Sequence, residues 1–111
     1  MWYEVKMEII FEKEYLSELY FEGKTSDKQH RFQPKIIAKY KKTIDLMESL
    51  ASVEDFYRYH SLNYVKLKGN KLGMESVRVN DQYRIEFRSE KRGMDILITV
   101  CRILELSNHY K

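Results

Sequence analysis

Residues 76–87 read SVRVNDQYRIEF, and this stretch decides the fold of the 111-residue chain. Apolar and polar residues alternate on both sides of an Asn-Asp-Gln turn, which is the pattern of two half-buried strands. The apolar residues have to share one face, because a slip of one residue would turn all of them to solvent. A hairpin with a three-residue loop meets this condition by pairing Val79 with Tyr83 and Val77 with Ile85.

The same register sets two arginines, Arg78 and Arg84, directly opposite each other on the other face of the hairpin. Like charges in such positions repel, so the side chains are either splayed into water or held together by a shared anion. Each guanidinium offers a planar fork of donors that fits a phosphate. The pair therefore indicates a phosphate site, with Arg88 next on the same face, and solvated arginines on an exposed sheet are the alternative.

Sequence periods on both sides of the hairpin predict the remaining strands. An apolar run from Ile96 to Leu104 predicts a last strand, and residues 89–93 are expected to form the turn before it. Residues 5–11 alternate between apolar and polar, as expected of a first strand. We expect the strands of the C-terminal third to form an antiparallel sheet.

Two helices are predicted between the first strand and the hairpin. A helical period starts at Glu12, and Gly23 supplies a stop. A polar loop follows, and Pro34 fits the first turn of a second helix whose apolar stripe ends at Ala51. Residues 53–60 are expected to add one further helical turn. The order indicates an α+β fold with an antiparallel β-sheet and two N-terminal helices packed on one face.

Composition and charge limit the classes of protein that this chain can be. It has the size of a single domain, residues 1–111, and its one cysteine excludes an internal disulfide. No Cys/His spacing suits zinc, so neither a metal nor a cofactor is expected. Without a signal peptide or an apolar run of membrane-spanning length, the protein is expected to be cytoplasmic and to have no membrane partner. Residues 1–22 carry two lysines against six glutamates, whereas residues 58–92 carry nine basic residues against four acidic ones, which favours an anionic partner.

Two further groups of residues could act on such a partner. Lys66, Lys68 and Lys71 surround a glycine in the segment KLKGNK, where they could follow a nucleic-acid backbone or stabilise developing charge. Singly, each lysine is more often a solubilising surface residue. The chain ends with His109 and Tyr110: a histidine can transfer protons near neutral pH, and a tyrosine can stack on a base. A frayed tail is the alternative for these two residues.

Residues 67–87, LKGNKLGMESVRVNDQYRIEF, also carry a family resemblance. Its marks are the Lys68-Gly69 pair, Gly73, the run from Ser76 to Asn80, the run from Gln82 to Ile85, and the short polar and aromatic tail. On these residues the chain resembles the HigB toxins, also called plasmid maintenance killer proteins, of the RelE/ParE superfamily. The resemblance covers residues 64–88 and 103–111, while the helical half agrees in its pattern of apolar and polar residues more than in residue identity.

The resemblance implies the toxin of a type II toxin-antitoxin system. Such a toxin cleaves messenger RNA on the ribosome without a metal, and a HigA-like helix-turn-helix antitoxin neutralises it. Arg78 and Arg84 match family arginines that bind the phosphate, and Lys68 matches a basic residue of the same site. His109 and Tyr110 match the family's terminal histidine and aromatic residue, which implies proton transfer for His109 and base positioning for Tyr110.

Two departures from the family pattern concern proton transfer. Many relatives carry a histidine just before the Lys-Leu-Lys segment, where this chain has Tyr64 and Val65. A proton-transfer partner is therefore either missing or supplied by His60. An acid is frequent in the family where this chain has Asn108. We expect His109 to act as general acid or base, and Lys66, Lys71 and Arg88 to bind the RNA.

Two other classes of function stay open at this point. ParE-like members of the superfamily poison DNA gyrase and cleave no RNA, and a shared fold does not decide between these uses. An inactive RNA-binding or protein-binding module is the second alternative, because basic loops with aromatic residues serve binding as readily as cutting. The titratable residues at the C-terminus favour the nuclease.

Overall fold

The computed structural model describes residues 4–94 and 96–108. Within these residues the α-helices are α1 (Glu14–Glu22) and α2 (Pro34–Ser49). The strands are β1 (Glu4–Phe11), β2 (Val65–Lys66), β3 (Glu75–Arg78), β4 (Tyr83–Arg92) and β5 (Ile96–Asn108). Short 3-10 helices cover Lys28–His30, Val53–Arg58, His60–Leu62 and Gly69–Lys71. The α+β class is confirmed. The 3-10 helices add to the two predicted helices, and the one at Val53–Arg58 corresponds to the helical turn predicted for residues 53–60.

One mixed sheet joins the described strands in the order β1-β5-β4-β3-β2. The predicted antiparallel pairing is confirmed for β3 with β4 and for β4 with β5. The short strand β2, which was predicted as loop, also pairs antiparallel with β3, whereas β1 runs parallel to β5. The parallel pair sets Ile9 beside Cys101 and Phe11 beside Ile103. Cys101 and Ile103 are fully buried, and Ile9 and Phe11 pack against the same core. Burial of the apolar side of β1 therefore explains its place beside β5.

The two α-helices cover the core face of the sheet. Leu16 of α1 and Tyr40 of α2 are fully buried, and the Tyr40 hydroxyl donates a 2.8 Å hydrogen bond to the Leu16 carbonyl. Gly23 ends α1 in the left-handed conformation with φ of 73°, and Pro34 occupies the start of α2, both as predicted. The helix α1 begins at Glu14, two residues after the period changes at Glu12, because the Glu12 amide still bonds the carbonyl of a β5 residue.

The predicted register of the β3–β4 hairpin is confirmed. Val77 pairs with Ile85, and the Val79 amide donates a 3.0 Å hydrogen bond to the Tyr83 carbonyl. The side chains of Val77, Val79 and Ile85 have no exposed surface, so the apolar face of the hairpin lies in the core. The Asn80 Oδ1 atom accepts the Tyr83 amide at 2.7 Å and closes the turn.

The turn between β4 and β5 lies later than predicted. Residues 89–92, assigned to that turn from the sequence, continue β4, and Arg92 pairs with Ile98. The hairpin reverses around Gly93, whose φ is 99° and whose missing Cβ would lie 1.9 Å from the Ile96 carbonyl oxygen. Of the polar residues that suggested a turn, Glu90, Lys91 and Arg92 are exposed strand residues of a long hairpin, and Ser89 is half-buried.

The register between β4 and β5 shifts once. Glu86 pairs with Glu105, but the next residue, Phe87, pairs with Ile103, so β5 carries one extra residue, Leu104, at this point. The shift brings Ile103 and Leu106 into the core while Glu105 faces Glu86. No helix among the described residues is long and apolar enough to cross a membrane.

Candidate functional site

A cleft of about 930 Å³ lies where β4 begins and β5 ends. Residues 29–32 of the α1–α2 loop form one part of its lining, and Val65, Leu67 and Lys71 form another. The rest comes from β3, β4 and β5. Arg84 and Glu86 have the opposite parity to the buried Ile85, so they lie on the face of β4 that turns away from the core.

Arg84 is anchored at the floor of this cleft. Its Nε donates to the Ser76 hydroxyl at 3.0 Å, and its Nη2 donates to the Asn63 carbonyl at 2.9 Å. Asn63 adopts a left-handed conformation with φ of 41°, which asparagine tolerates better than most residues. Burial, followed by the nearby charge of Arg78, lowers the pKa of Arg84. The guanidinium is therefore positioned by the fold and lies close to a second positive charge.

Arg78 is the cross-strand partner of Arg84, as the sequence predicted. Its guanidinium binds the carboxylate of Asp81 in the hairpin turn, and it does not line the cleft. Each arginine therefore has its own partners within the protein, and the shared phosphate stays a prediction. The pairing places two cations on one sheet face while only Arg84 reaches the cleft.

Acidic and basic residues alternate beside Arg84. Lys71 binds Glu86 with 2.7 Å between Nζ and Oε2, and Glu86 is 8% exposed. Glu86 also lies directly opposite Glu105 across β4 and β5. Lys71, Arg84, Glu86 and Glu105 all line the cleft, so its floor carries cations that can bind an anionic ligand beside two carboxylates.

The α1–α2 loop brings a histidine to the same cleft. Asp27 caps the 3-10 helix Lys28–His30: its Oδ1 accepts the Gln29 amide at 2.9 Å, and its Oδ2 lies 2.9 Å from His30 Nδ1. The hydrogen bond from His30 lowers the pKa of Asp27. The His30 ring also stacks on Tyr15, with the ring centroids 3.7 Å apart. These contacts fix the orientation of His30.

Glu105 connects this loop to the sheet. Its carboxylate accepts hydrogen bonds from Lys13 Nζ at 2.7 Å and from the Tyr15 hydroxyl at 2.5 Å. Burial raises the pKa of Glu105, but the bonds from Lys13 and Tyr15 and the charges of Lys13 and His30 outweigh it, so the net shift is downward. Burial and the Glu105 carboxylate raise the pKa of Tyr15. Glu105 therefore stays ionised at neutral pH.

The structure brings some of the predicted site residues together and leaves others apart. Arg84 and Lys71 line the cleft. The side chains of Lys66, Lys68 and Arg88 are exposed and are not part of the lining. His60 is also exposed and lies in a neighbouring pocket of about 340 Å³.

The two predicted residues at the C-terminus, His109 and Tyr110, lie outside the described residues. The last described residue, Asn108, lines the cleft and pairs with Tyr83. The end of β5 therefore reaches the same cleft as Arg84.

Several residues of the cleft were missed from the sequence. The register that paired Arg78 with Arg84 also pairs Ser76 with Glu86 on the same face, so strand parity could have found both. His30 lies in an unpatterned loop, and no sequence period relates it to the sheet. Among residues 4–94 and 96–108, no group of three or more His, Cys, Asp or Glu side chains is arranged to hold a metal ion.

Comparison with known families decides what kind of protein carries this cleft. Residues 9–97 match the model of the HigB-like toxins, described as RelE-like toxins of the type II toxin-antitoxin system HigB. The chain belongs to the HigB-like toxin family. The resemblance read from residues 67–87 is thereby confirmed. This HigB-like chain is the toxin of a type II toxin-antitoxin system, and its family match stops before Glu105 and the end of β5.

One solved structure with a TM-score above 0.5 supports the fold of this HigB-like toxin, and two others are similar with TM-scores below that value. A YoeB/ParE toxin from Agrobacterium tumefaciens is 17% identical, with a TM-score of 0.52 over 94% of this chain and 100% of that one. The YoeB dimer from Staphylococcus aureus is 21% identical, with a TM-score of 0.48 over 95% of this chain and 99% of that one. A chain of a YoeB-YefM toxin-antitoxin complex from the same organism is 20% identical, with a TM-score of 0.47 over 95% of this chain and 99% of that one. No curated protein matches the sequence. At these identities the likeness concerns the fold alone.

Proposed function

We propose that this HigB-like toxin is a metal-independent endoribonuclease that cleaves messenger RNA on the ribosome and so inhibits translation. We propose also that residues 1–111 act as one toxin domain in the cytoplasm, with a HigA-like helix-turn-helix antitoxin and the mRNA-loaded ribosome as partners. The observation that carries the proposal is the position of Arg84. Its guanidinium is fixed at the floor of a 930 Å³ cleft, beside Lys71 and across the ladder from Arg78.

The proposed chemistry uses groups that the RNA and the protein supply. RNA carries its own nucleophile, the 2′-hydroxyl, so the protein has to align the backbone, transfer protons and neutralise charge on the phosphate. Arg84, with Arg78 and Lys68, is assigned to stabilise that charge. Arginine suits the task because its donors stay charged at physiological pH and bind phosphate oxygens in pairs.

The remaining roles concern proton transfer and the RNA chain. His109 is assigned as general acid or base, and Tyr110 as a residue that positions a base. They are the next two residues in the sequence after Asn108, which lines the cleft. Lys66, Lys71 and Arg88 are assigned to the RNA backbone. Lys71 is the member of this group that lines the cleft, where it binds Glu86.

The proposal is tested by inducing the chain alone in growing bacteria and mapping the 5′ ends of abundant messages by primer extension. We expect growth arrest and new 5′ ends within translated regions, and Arg84→Ala should remove both. Arg58→Ala is the matched control, because the Arg58 side chain is 82% exposed and is not part of the cleft lining. Antitoxin capture of each variant checks that it is folded.

Two outcomes would contradict the nuclease. Growth arrest with intact messages would indicate a toxin of the gyrase-binding type. No arrest, with antitoxin binding retained, would indicate an inactive binding module. Cleavage by Arg84→Ala at the rate of the unmodified chain would reject the assigned role of Arg84.

A further inference from the structure

We propose that His30 is the general base of the cleavage reaction, accepting the 2′-hydroxyl proton at its Nε2 atom, and that Asp27 is the positioning residue that holds it. This inference rests on the proposed nuclease function and names a residue of the same cleft. His30 comes from the α1–α2 loop, whereas the assigned phosphate-binding residues come from the sheet and the segment before it.

The first argument is the fixed state of the imidazole ring. Asp27 Oδ2 lies 2.9 Å from His30 Nδ1, and Asp27 is itself held because its Oδ1 accepts the Gln29 amide at 2.9 Å. The ring is stacked on Tyr15 with 8° between the ring planes, which restricts its rotation. An ionised carboxylate can only accept, so the proton of a neutral His30 lies on Nδ1 and the lone pair lies on Nε2.

The second argument is the position of Nε2. The nearest charged group, Glu105 Oε1, is 3.7 Å away, which is too far for a hydrogen bond. Within the described part of the chain, Nε2 has no hydrogen-bond partner, while His30 lines the cleft that holds Arg84. The His30 side chain is 27% exposed. The contacts of the ring therefore orient the Nε2 lone pair, on a side chain that lines the same cleft as Arg84.

The third argument is the charge around the ring. Asp27 on the same loop and Glu105 on β5 both face His30, Tyr15 of α1 covers the ring, and Lys13 binds Glu105. Two carboxylates near the ring stabilise the imidazolium that forms when Nε2 takes up a proton. Lys13 offsets part of this effect at Glu105. The imidazole ring thus lies between carboxylates from two different elements, the α1–α2 loop and β5.

The step balances with groups that are already assigned. The 2′-oxygen forms a bond to phosphorus while its proton passes to His30 Nε2. The bond from phosphorus to the 5′-oxygen breaks, and that oxygen takes a proton from His109 as general acid. The products are a 2′,3′-cyclic phosphate and a 5′-hydroxyl, and both histidines recover their starting states by exchange with water.

The alternative is that His30 only anchors the loop to Tyr15, and two substitutions separate this role from catalysis. The first is His30→Gln, which removes the titrating ring. The second is Asp27→Asn, which can still accept the Gln29 amide but would donate to Nδ1 and so move the ring proton to Nε2. The control is Lys28→Ala, an exposed residue of the same 3-10 helix. Cleavage is measured in single turnovers on purified ribosomes loaded with a message, at several pH values.

We expect His30→Gln to slow cleavage by about 100-fold or more and Asp27→Asn by about 10-fold or more, with ribosome binding unchanged. The pH profile of cleavage by His30→Gln should differ in shape from that of the wild type, and the profile of Lys28→Ala should not. Added imidazole should restore part of the activity of His30→Ala. A loss of activity that imidazole does not restore and that accompanies a lower unfolding midpoint would assign His30 a structural role and overturn the proposal.

A message with sulfur in place of the scissile 5′-oxygen separates base from acid, because a thiolate leaves without a proton. His30→Gln should be slow on both messages, whereas His109→Gln should be slow on the oxygen message alone. A defect of His30→Gln confined to the oxygen message, or wild-type rates on both, would overturn the inference while the nuclease stands. Absence of cleavage by the wild type would overturn the proposed function and the inference together.

Discussion

Arg78 and Arg84 are direct cross-strand partners, yet their guanidinium groups bind different parts of the protein. Arg78 binds Asp81 in the hairpin turn, whereas Arg84 binds the Ser76 hydroxyl and the Asn63 carbonyl. These contacts offset the repulsion between the two cations from within the fold. Arg84 is consequently held at one place in the cleft by partners on two separate segments, which is the geometry that a fixed phosphate ligand requires.

Replacement of Ser76 by alanine should weaken this anchor. Ser76 is 1% exposed and accepts the Arg84 Nε hydrogen bond at 3.0 Å, so Ser76→Ala leaves a charged donor without that acceptor. We expect the free energy of unfolding to fall by about 1 kcal/mol, because Arg84 can still reach water. Urea denaturation measures the change, with Ser26→Ala, an exposed serine, as control. An unchanged midpoint for Ser76→Ala would show that this bond does not stabilise the fold.

The ion pair between Lys71 and Glu86 should show energetic coupling. Glu86 is 8% exposed, so Lys71→Met leaves its carboxylate without a cation at 2.7 Å. We expect Lys71→Met to cost about 1 kcal/mol, with a smaller cost once Glu86→Gln is also present, since the unpaired charge is then gone. A double-mutant cycle of urea unfolding free energies gives the coupling. Strict additivity of the two changes would mean that solvent screens the pair completely.

Tyr15 should contribute stability through its hydroxyl. That group donates to Glu105 at 2.5 Å and accepts the buried Leu106 amide at 3.1 Å. Tyr15→Phe leaves the amide without its partner, so we expect a loss of about 1–3 kcal/mol in the free energy of unfolding. Tyr57→Phe is the control, because the Tyr57 side chain is 56% exposed. Equal effects of the two substitutions would contradict this prediction.

The sequence was sufficient for the local parts of this structure. The alternation in residues 76–87 predicted the hairpin register, because a shift by one residue would expose Val77 and Ile85, which are fully buried. Gly23 and Pro34 marked a helix end and a helix start for steric reasons that act locally. The family resemblance lay in the same hairpin, and the family match confirms it.

Contacts between distant parts of the chain could not be read in this way. The parallel pairing of β1 with β5 joins residues more than 90 positions apart. The alternation of apolar and polar residues in β1 predicts a strand but does not indicate which strand it pairs with. His30 reaches the cleft through its stacking on Tyr15 and its position beside Glu105, which depend on how the loop folds over α1. The phosphate-binding half of the candidate site was therefore accessible from the sequence, and the half that would transfer protons from this loop was not.

The lowered pKa of Glu105 predicts how stability changes with pH. Lys13 and Tyr15 hold the pKa of the folded carboxyl below its ordinary value of 4.5, despite the opposing effect of burial. A carboxyl with a depressed folded pKa stabilises the fold above the unfolded value and loses that contribution as the pH falls through the folded value. The loss attributable to Glu105 should therefore begin near pH 4.5 and grow on further acidification.

Urea unfolding of the wild type and Glu105→Gln at pH 7, 5, 4 and 3 measures this loss. The free energies of unfolding of the two proteins should converge as the pH falls. Glu22→Gln, a control at an exposed glutamate, should follow the wild type at every pH. A constant difference between wild type and Glu105→Gln from pH 7 to pH 3 would mean that the Glu105 contacts do not depend on its charge.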